Sequence, residues 1–109
     1  MTKTRSSGLS MPQPDECKTM AEVRLGVDET DRELVALLER RFGYMRAAAR
    51  IKAEREAVRD ETRKAYVIEQ AVKDAETRGL PGDVIGDIWE RLVEGSIAYE
   101  FREWDRIRK

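Results

Sequence analysis

The sequence contains no histidine. That removes the commonest general base, the Ser-His and Cys-His nucleophile pairs, and histidine-based metal sites. The one cysteine, Cys17, excludes an internal disulfide and fits a reducing compartment. No apolar run approaches the roughly 18 residues of a membrane span. The N-terminus lacks the apolar stretch of a signal peptide, so a cytoplasmic protein is expected. Aromatic residues are scarce at 6%, while charged residues reach 39%. That mix suits helices with solvated outer faces better than a β-sandwich. The net charge of −1 gives no overall field towards nucleic acid or membrane. A chain of 109 residues suffices for one domain and one core.

What is present is helical periodicity. From Met20 to about Arg55 the chain reads as one long amphipathic helix. Thr19 serves as N-cap with Glu22 three residues on, which makes a capping box. Val23, Val27, Leu34, Leu38, Phe42, Met45 and Ala49 recur at spacings of three or four and form one apolar stripe. Some thirty-five residues at about 1.5 Å each reach about 50 Å. A domain of roughly 100 residues has a radius of gyration of only about 13 Å. Such a helix outruns a monomer and leaves its stripe in water, so a partner chain lying along it is expected.

Residues 1–14 are polar, carry Ser, Gly and Pro, and are expected to be a flexible leader. Met11 offers an internal start. Residues 15–109 are expected to form the folded domain, with no room for a fused regulatory domain. After a short connection at Glu56 to Arg59, Asp60 caps a second helix from about Glu61 to Arg78. Gly79 suits its left-handed C′ position, and Pro81 the first turn of a third helix running to Arg106. The apolar positions of the second helix are Ala65, Tyr66, Ile68, Ala71, Val72 and Ala75. Those of the third are Ile85, Trp89, Leu92, Val93, Ser96, Ile97, Phe101 and Trp104. No strand pattern appears, so the fold class is all-α with three helices.

The informative residues are ionisable groups on or beside these stripes. Arg41 and Lys52 fall within roughly 20° of each other, about 16 Å apart along the axis, and share a face with Met45 and Ala48. Arg24 lies about 100° round from Arg41 and roughly 25 Å up the helix, too far to join it at one small ligand within a chain. Antiparallel pairing of two long helices brings Arg24 of one chain towards Lys52 or Arg41 of the other. On the third helix Ser96 and Glu100 share a face inside the apolar stripe, and Arg63 sits one turn into the second. Taken singly, each basic residue reads as a surface charge with a snorkelling stem. Ser96 reads as a small packing residue, and Tyr66, Trp89 and Trp104 as core. Arg55, Arg59, Lys64, Arg102, Arg106 and Arg108 read as solvated or helix-end charges. Taken together, four basic residues and one acid converging on a bundle interior cost several kcal/mol per unpaired charge. A dianionic ligand relieves that cost.

In these features the sequence resembles the all-helical class of chorismate mutases, on the branch that includes isochorismate pyruvate lyases. The resemblance covers about residues 14–105. It is carried by Asp15-Glu16-Cys17, Met20-Ala21-Glu22-Val23-Arg24, Val27-Asp28 with Asp31, and Leu37-Leu38-Glu39-Arg40-Arg41. Further on it is carried by Ala49-Arg50-Ile51-Lys52, Val58-Arg59-Asp60 with Arg63, and Ser96-Ile97-Ala98. It implies an intertwined helical homodimer with two equivalent sites, each completed by an arginine from the partner's long helix, and no cofactor or metal. Arg24, from the partner, and Arg41 match the arginines that grip the substrate carboxylates, a task suited to bidentate guanidinium pairing. Lys52 matches the lysine that donates to the ether oxygen and a carboxylate. Arg63 matches a basic residue lining the site, Asp60 an aspartate near the ring hydroxyl, and Ser96 a small polar residue. Glu100 falls where many relatives have glutamine as second donor to the ether oxygen.

Two departures stand out. Lys64 replaces a glutamate that in typical mutases accepts from the ring hydroxyl, and the lyase relatives also lack that glutamate. Glu100 replaces glutamine, and must be protonated to donate to an ether oxygen. The implied activity is the Claisen rearrangement of chorismate to prephenate, with Lys52, Glu100 and Arg41 catalytic. The alternative is an isochorismate pyruvate lyase using the same pocket to release pyruvate and leave salicylate. A non-catalytic helical dimerisation module is the third reading, opposed by the ionic residues in the stripes. Nucleic-acid binding is disfavoured because acids and bases alternate and no basic face develops.

Overall fold

Three helices account for most of residues 12–109, the part of the chain that a computed structural model describes. The expected leader therefore lies mostly outside the described residues. Among those residues there is no strand. The helices are α1 (Met20–Ile51), α2 (Glu61–Thr77) and α3 (Gly82–Ile107), with 3-10 turns at Pro14–Glu16 and Arg55–Val58. The chain divides within α1 into a unit ending at Arg40 and a unit Arg41–Lys109.

In the N-terminal unit the expected capping box forms. Glu22 N donates to Thr19 Oγ1 at 3.1 Å, and Thr19 N to Glu22 Oε1 at 3.2 Å. Lys18 N donates to the same carboxylate at 2.6 Å. Two orphan amides at the start of α1, and that of Lys18 just before it, are thereby satisfied. Most of the apolar stripe here faces outward: Val27 and Leu34 are each 52% exposed and Val23 37%, while Leu38 is half-buried.

In the C-terminal unit α1 ends at Ile51, four residues before the expected Arg55, and the chain turns through the 3-10 segment to α2. Asp60 caps α2 as expected, its Oδ1 accepting from Arg63 N at 3.0 Å. α2 closes in a Schellman motif. Leu80 N donates to Ala75 O at 2.8 Å and Gly79 N to Glu76 O at 3.0 Å, with Gly79 at φ 77°. A side chain at that φ is strained, which is why glycine stands there. The core is small. Val58 from the connection is buried against Val93 and Ile97 of α3, with Val67, Ile68, Trp89, Phe101 and Trp104 around them. Burying a valine side chain stabilises by about 1.5 kcal/mol or more, so Val58 pins the connection onto α3. Tyr66, expected in the core, is 51% exposed: neighbouring Val67 and Ile68 turn inward instead.

Candidate active site

The C-terminal unit encloses a cavity of about 360 Å³. All three helices supply it with the same helical register. α1 gives Arg41, Met45, Ala48 and the residue just past its end, Lys52; α2 gives Arg63, Lys64 and Val67, with its cap Asp60; α3 gives Val93, Ser96, Ile97 and Glu100. Steps of three and four place each set on one face, which is how residues distant in sequence converge. Ala57 and Val58 close the wall. Ligand pockets commonly measure roughly 300–1,000 Å³, so this one has the size for a small molecule.

The polar groups are ordered. Arg41 Nη1 donates to Ser96 Oγ at 2.7 Å, and Ser96 Oγ donates to Leu92 O at 2.7 Å. The hydroxyl thus spends its proton on the helix backbone and presents a lone pair to the guanidinium. Burial first, then the repulsion of Arg63, lowers the Arg41 pKa from its usual value. An arginine starts so high that it keeps its charge at neutral pH. Among the described residues neither Arg41 nor Arg63 is ion-paired with a carboxylate; Arg63 stacks over Tyr66, with Cζ 5.5 Å from the ring centre. Lys52 Nζ lies 2.8 Å from Glu100 Oε2. That oxygen is buried and has no partner in hydrogen-bonding geometry, so charge alone joins the pair. Glu100 is 4% exposed and Ser96 3%.

Six of the seven residues singled out from sequence therefore meet at one cavity: Arg41, Lys52, Asp60, Arg63, Ser96 and Glu100. Arg24 belongs to the N-terminal unit and does not line it. Lys64, expected on a solvated face, lines the cavity too. Its Nζ lies 2.6 Å from Glu94 Oε2 and 2.8 Å from Glu90 Oε2. Those hydrogen bonds, to Glu90 and then Glu94, raise its pKa. Arg59 and Lys64 together hold Glu94 down to about 2. The clamp ties α2 to α3 across the helices. Spacing along one helix reveals neighbours on that helix only, so the sequence carried no signal for it.

A larger cavity, of about 580 Å³, lies in the N-terminal unit. Among the described residues that line it are Glu29, Asp31 and Glu33, and no lysine or arginine. In the smaller cavity, by contrast, four cationic side chains face two carboxylates.

Isochorismate pyruvate lyase of Pseudomonas aeruginosa is 29% identical over 98 residues, spanning 90% of this chain and 97% of that protein. Residues 23–101 match the family described as chorismate mutase type II, a stretch that runs from the first turn of α1 to the last turns of α3 and takes in every residue lining the cationic cavity. With three helices in this order and that match over most of its length, the chain belongs to the chorismate mutase type II family.

Proposed function

We propose that the protein is a chorismate mutase, rearranging chorismate to prephenate in the cationic cavity. The observation that carries this reading is two guanidiniums, Arg41 and Arg63, facing one cavity without a carboxylate partner among the described residues. Arg41 is half-buried and feels the repulsion of the exposed Arg63, which is unfavourable until an anion joins them. A dicarboxylate restores the balance and is oriented by it.

The reaction breaks the ether C–O bond as the enolpyruvyl methylene bonds to the ring. It is unimolecular and gains most from being held in a reactive pose. Arg41 takes one substrate carboxylate, with Ser96 fixing its guanidinium. Lys52 stabilises the negative charge that grows on the ether oxygen. Glu100 holds Lys52 in place and, when protonated, is the second donor to that oxygen. Its Oε2 lines the cavity beside the Lys52 ammonium and is otherwise free of protein donors among the described residues, which suits that role. Asp60 and Arg63 border the ring end.

A second copy of the chain completes the site in this reading. The exposed apolar stripe of the N-terminal unit is what a partner's helix would cover, and Arg24 would enter the cavity of that partner. Residues 15–109 form the folded domain of each copy.

Isochorismate pyruvate lyase activity is the second reading. It is favoured by Lys64, whose ammonium is engaged by Glu90 and Glu94 where typical mutases place a carboxylate, and by the similarity to the Pseudomonas protein. The test is to incubate the purified protein separately with chorismate and isochorismate and identify the products. Prephenate from the first supports the mutase. Salicylate and pyruvate from the second, with no prephenate from the first, replace it by the lyase. Turnover of neither rejects both.

A further inference from the structure

The last turn of α3 grips the end of α1 at the residue that carries the cavity's lysine. A helix leaves its final carbonyls without partners. At the end of α1, Arg108 supplies them. Its Nη1 donates to Ala49 O at 3.0 Å, and its Nη2 to Lys52 O at 2.8 Å and Arg50 O at 3.4 Å. Ala49 is 0% exposed, so water cannot replace that donor. Trp104 Nε1 donates to the same Lys52 carbonyl at 3.1 Å. The guanidinium carbon of Arg108 stands 4.1 Å above the Trp104 ring, so the two donors brace each other. At the other backbone group of the residue, Lys52 N donates to Ala48 O at 2.9 Å.

Lys52 has no helix beyond it to hold it: α1 has ended and the next turn begins at Arg55. Its side chain is a flexible four-carbon stem. The head is met by Glu100, and the backbone by Trp104, four residues further along α3, and by Arg108, the residue that caps its end. One face of α3 thus fixes both ends of one lysine.

We propose that Arg108, with Trp104, is a positioning residue for Lys52, holding its backbone so that the ammonium is presented to the cavity at a fixed point. This rests on the proposed function, in which Lys52 acts on the breaking bond. Arg108 does not touch the cavity and is not catalytic. Nor is it part of the core formed by Val58, Val93 and Ile97.

The experiment compares Arg108→Gln and Trp104→Phe with Arg106→Gln. The control removes the same charge from the same turn, but its guanidinium is paired with Glu103 at 2.9 Å. Steady-state kinetics are measured with whichever of chorismate and isochorismate the wild type consumes, and amide exchange at Lys52 is followed by NMR. Misplacing a catalytic group by about 1 Å can cost about 100-fold. Arg108→Gln is expected to lower kcat by about 10- to 100-fold, with KM changed by less than about threefold. The Lys52 amide exchanges faster while those of Val93 and Ile97 do not. Trp104→Phe, which loses one of the donors, falls between. Arg106→Gln keeps kcat within about twofold of wild type. The inference is overturned if Arg108→Gln and Arg106→Gln give the same kcat, or if the Lys52 amide is equally protected in both. Should the wild type consume neither substrate, the functional reading has failed, and the Lys52 exchange alone decides the positioning role.

Discussion

Lys52→Met and Glu100→Gln remove the two halves of one ion pair, and their costs should be unequal. The contact is 2.8 Å, with the lysine side chain 30% exposed and the glutamate 5%. Losing Lys52 leaves a carboxylate enclosed with no counter-charge at its Oε2. Breaking a buried pair from one side costs about 3–5 kcal/mol. Partial water access through the cavity mouth puts this case at or just below the bottom of that range, about 2–3 kcal/mol. Losing the Glu100 charge leaves an ammonium that can reach solvent and a neutral amide of the same shape. That change costs about 1 kcal/mol or less. For a chain of this size 1 kcal/mol moves Tm by about 4 °C. Lys52→Met should therefore lower Tm by about 8–12 °C, and Glu100→Gln by no more than about 4 °C. The double variant should regain much of the loss, because no orphaned charge remains. Thermal unfolding followed by circular dichroism, at neutral pH and one protein concentration, measures all three. Equal shifts for the two single variants, or a double variant that is merely their sum, would refute the idea that the carboxylate depends on this lysine.

The remaining predictions address the clamp, a helix end and the assembly. Glu94 is held at about 2, below its ordinary 4.5, so its stabilising effect is full above 4.5 and is lost as pH falls towards 2. Glu103 and Asp105 are also lowered, so the readout is a difference: Glu94→Gln should lose less Tm than wild type across that window. Equal acid loss in both chains counts against the clamp. Gly79→Ala forces a side chain to φ 77° and should cost about 1 kcal/mol, seen as a drop in the urea midpoint without a change in slope. Arg24→Ala and Lys52→Ala chains, each inactive alone, should regain about a quarter of wild-type activity when unfolded and refolded together, since half the dimers then carry one intact site of two. No gain on mixing would place Arg24 outside the site.

Much of this was readable from residue order. Thr19 with Glu22, Asp60 as a cap, and Gly79 before Pro81 mark helix ends by local chemistry, and each end fell where that chemistry put it. The end of α1 did not. No glycine or proline stands between Ile51 and Arg55, so nothing local stops the helix. It stops because Val58 is drawn into the core and because Trp104 and Arg108 satisfy its final carbonyls, all tertiary events. The cavity residues were legible for the same reason as the helices. Charge at i, i+4 and i+11 on an apolar stripe can be counted, and Arg41, Lys52, Ser96 and Glu100 do share the cavity. What lay beyond reach were partners on other helices: Glu90 and Glu94 for Lys64, Asp105 for Arg55, and the carbonyls of α1 for Arg108. Charges that looked solvated turned out to tie elements together.

The most direct test of the central claim is the rate of prephenate formation from chorismate by the wild type and by Arg41→Ala, measured side by side under saturating and limiting substrate. The half-buried guanidinium beside Arg63 is the group whose charge most needs a dianion. Its loss should lower kcat/KM by about two orders of magnitude or more while the fold, judged by circular dichroism, is kept. An Arg41→Ala protein that makes prephenate at the wild-type rate would show that the reaction takes place somewhere other than this cavity.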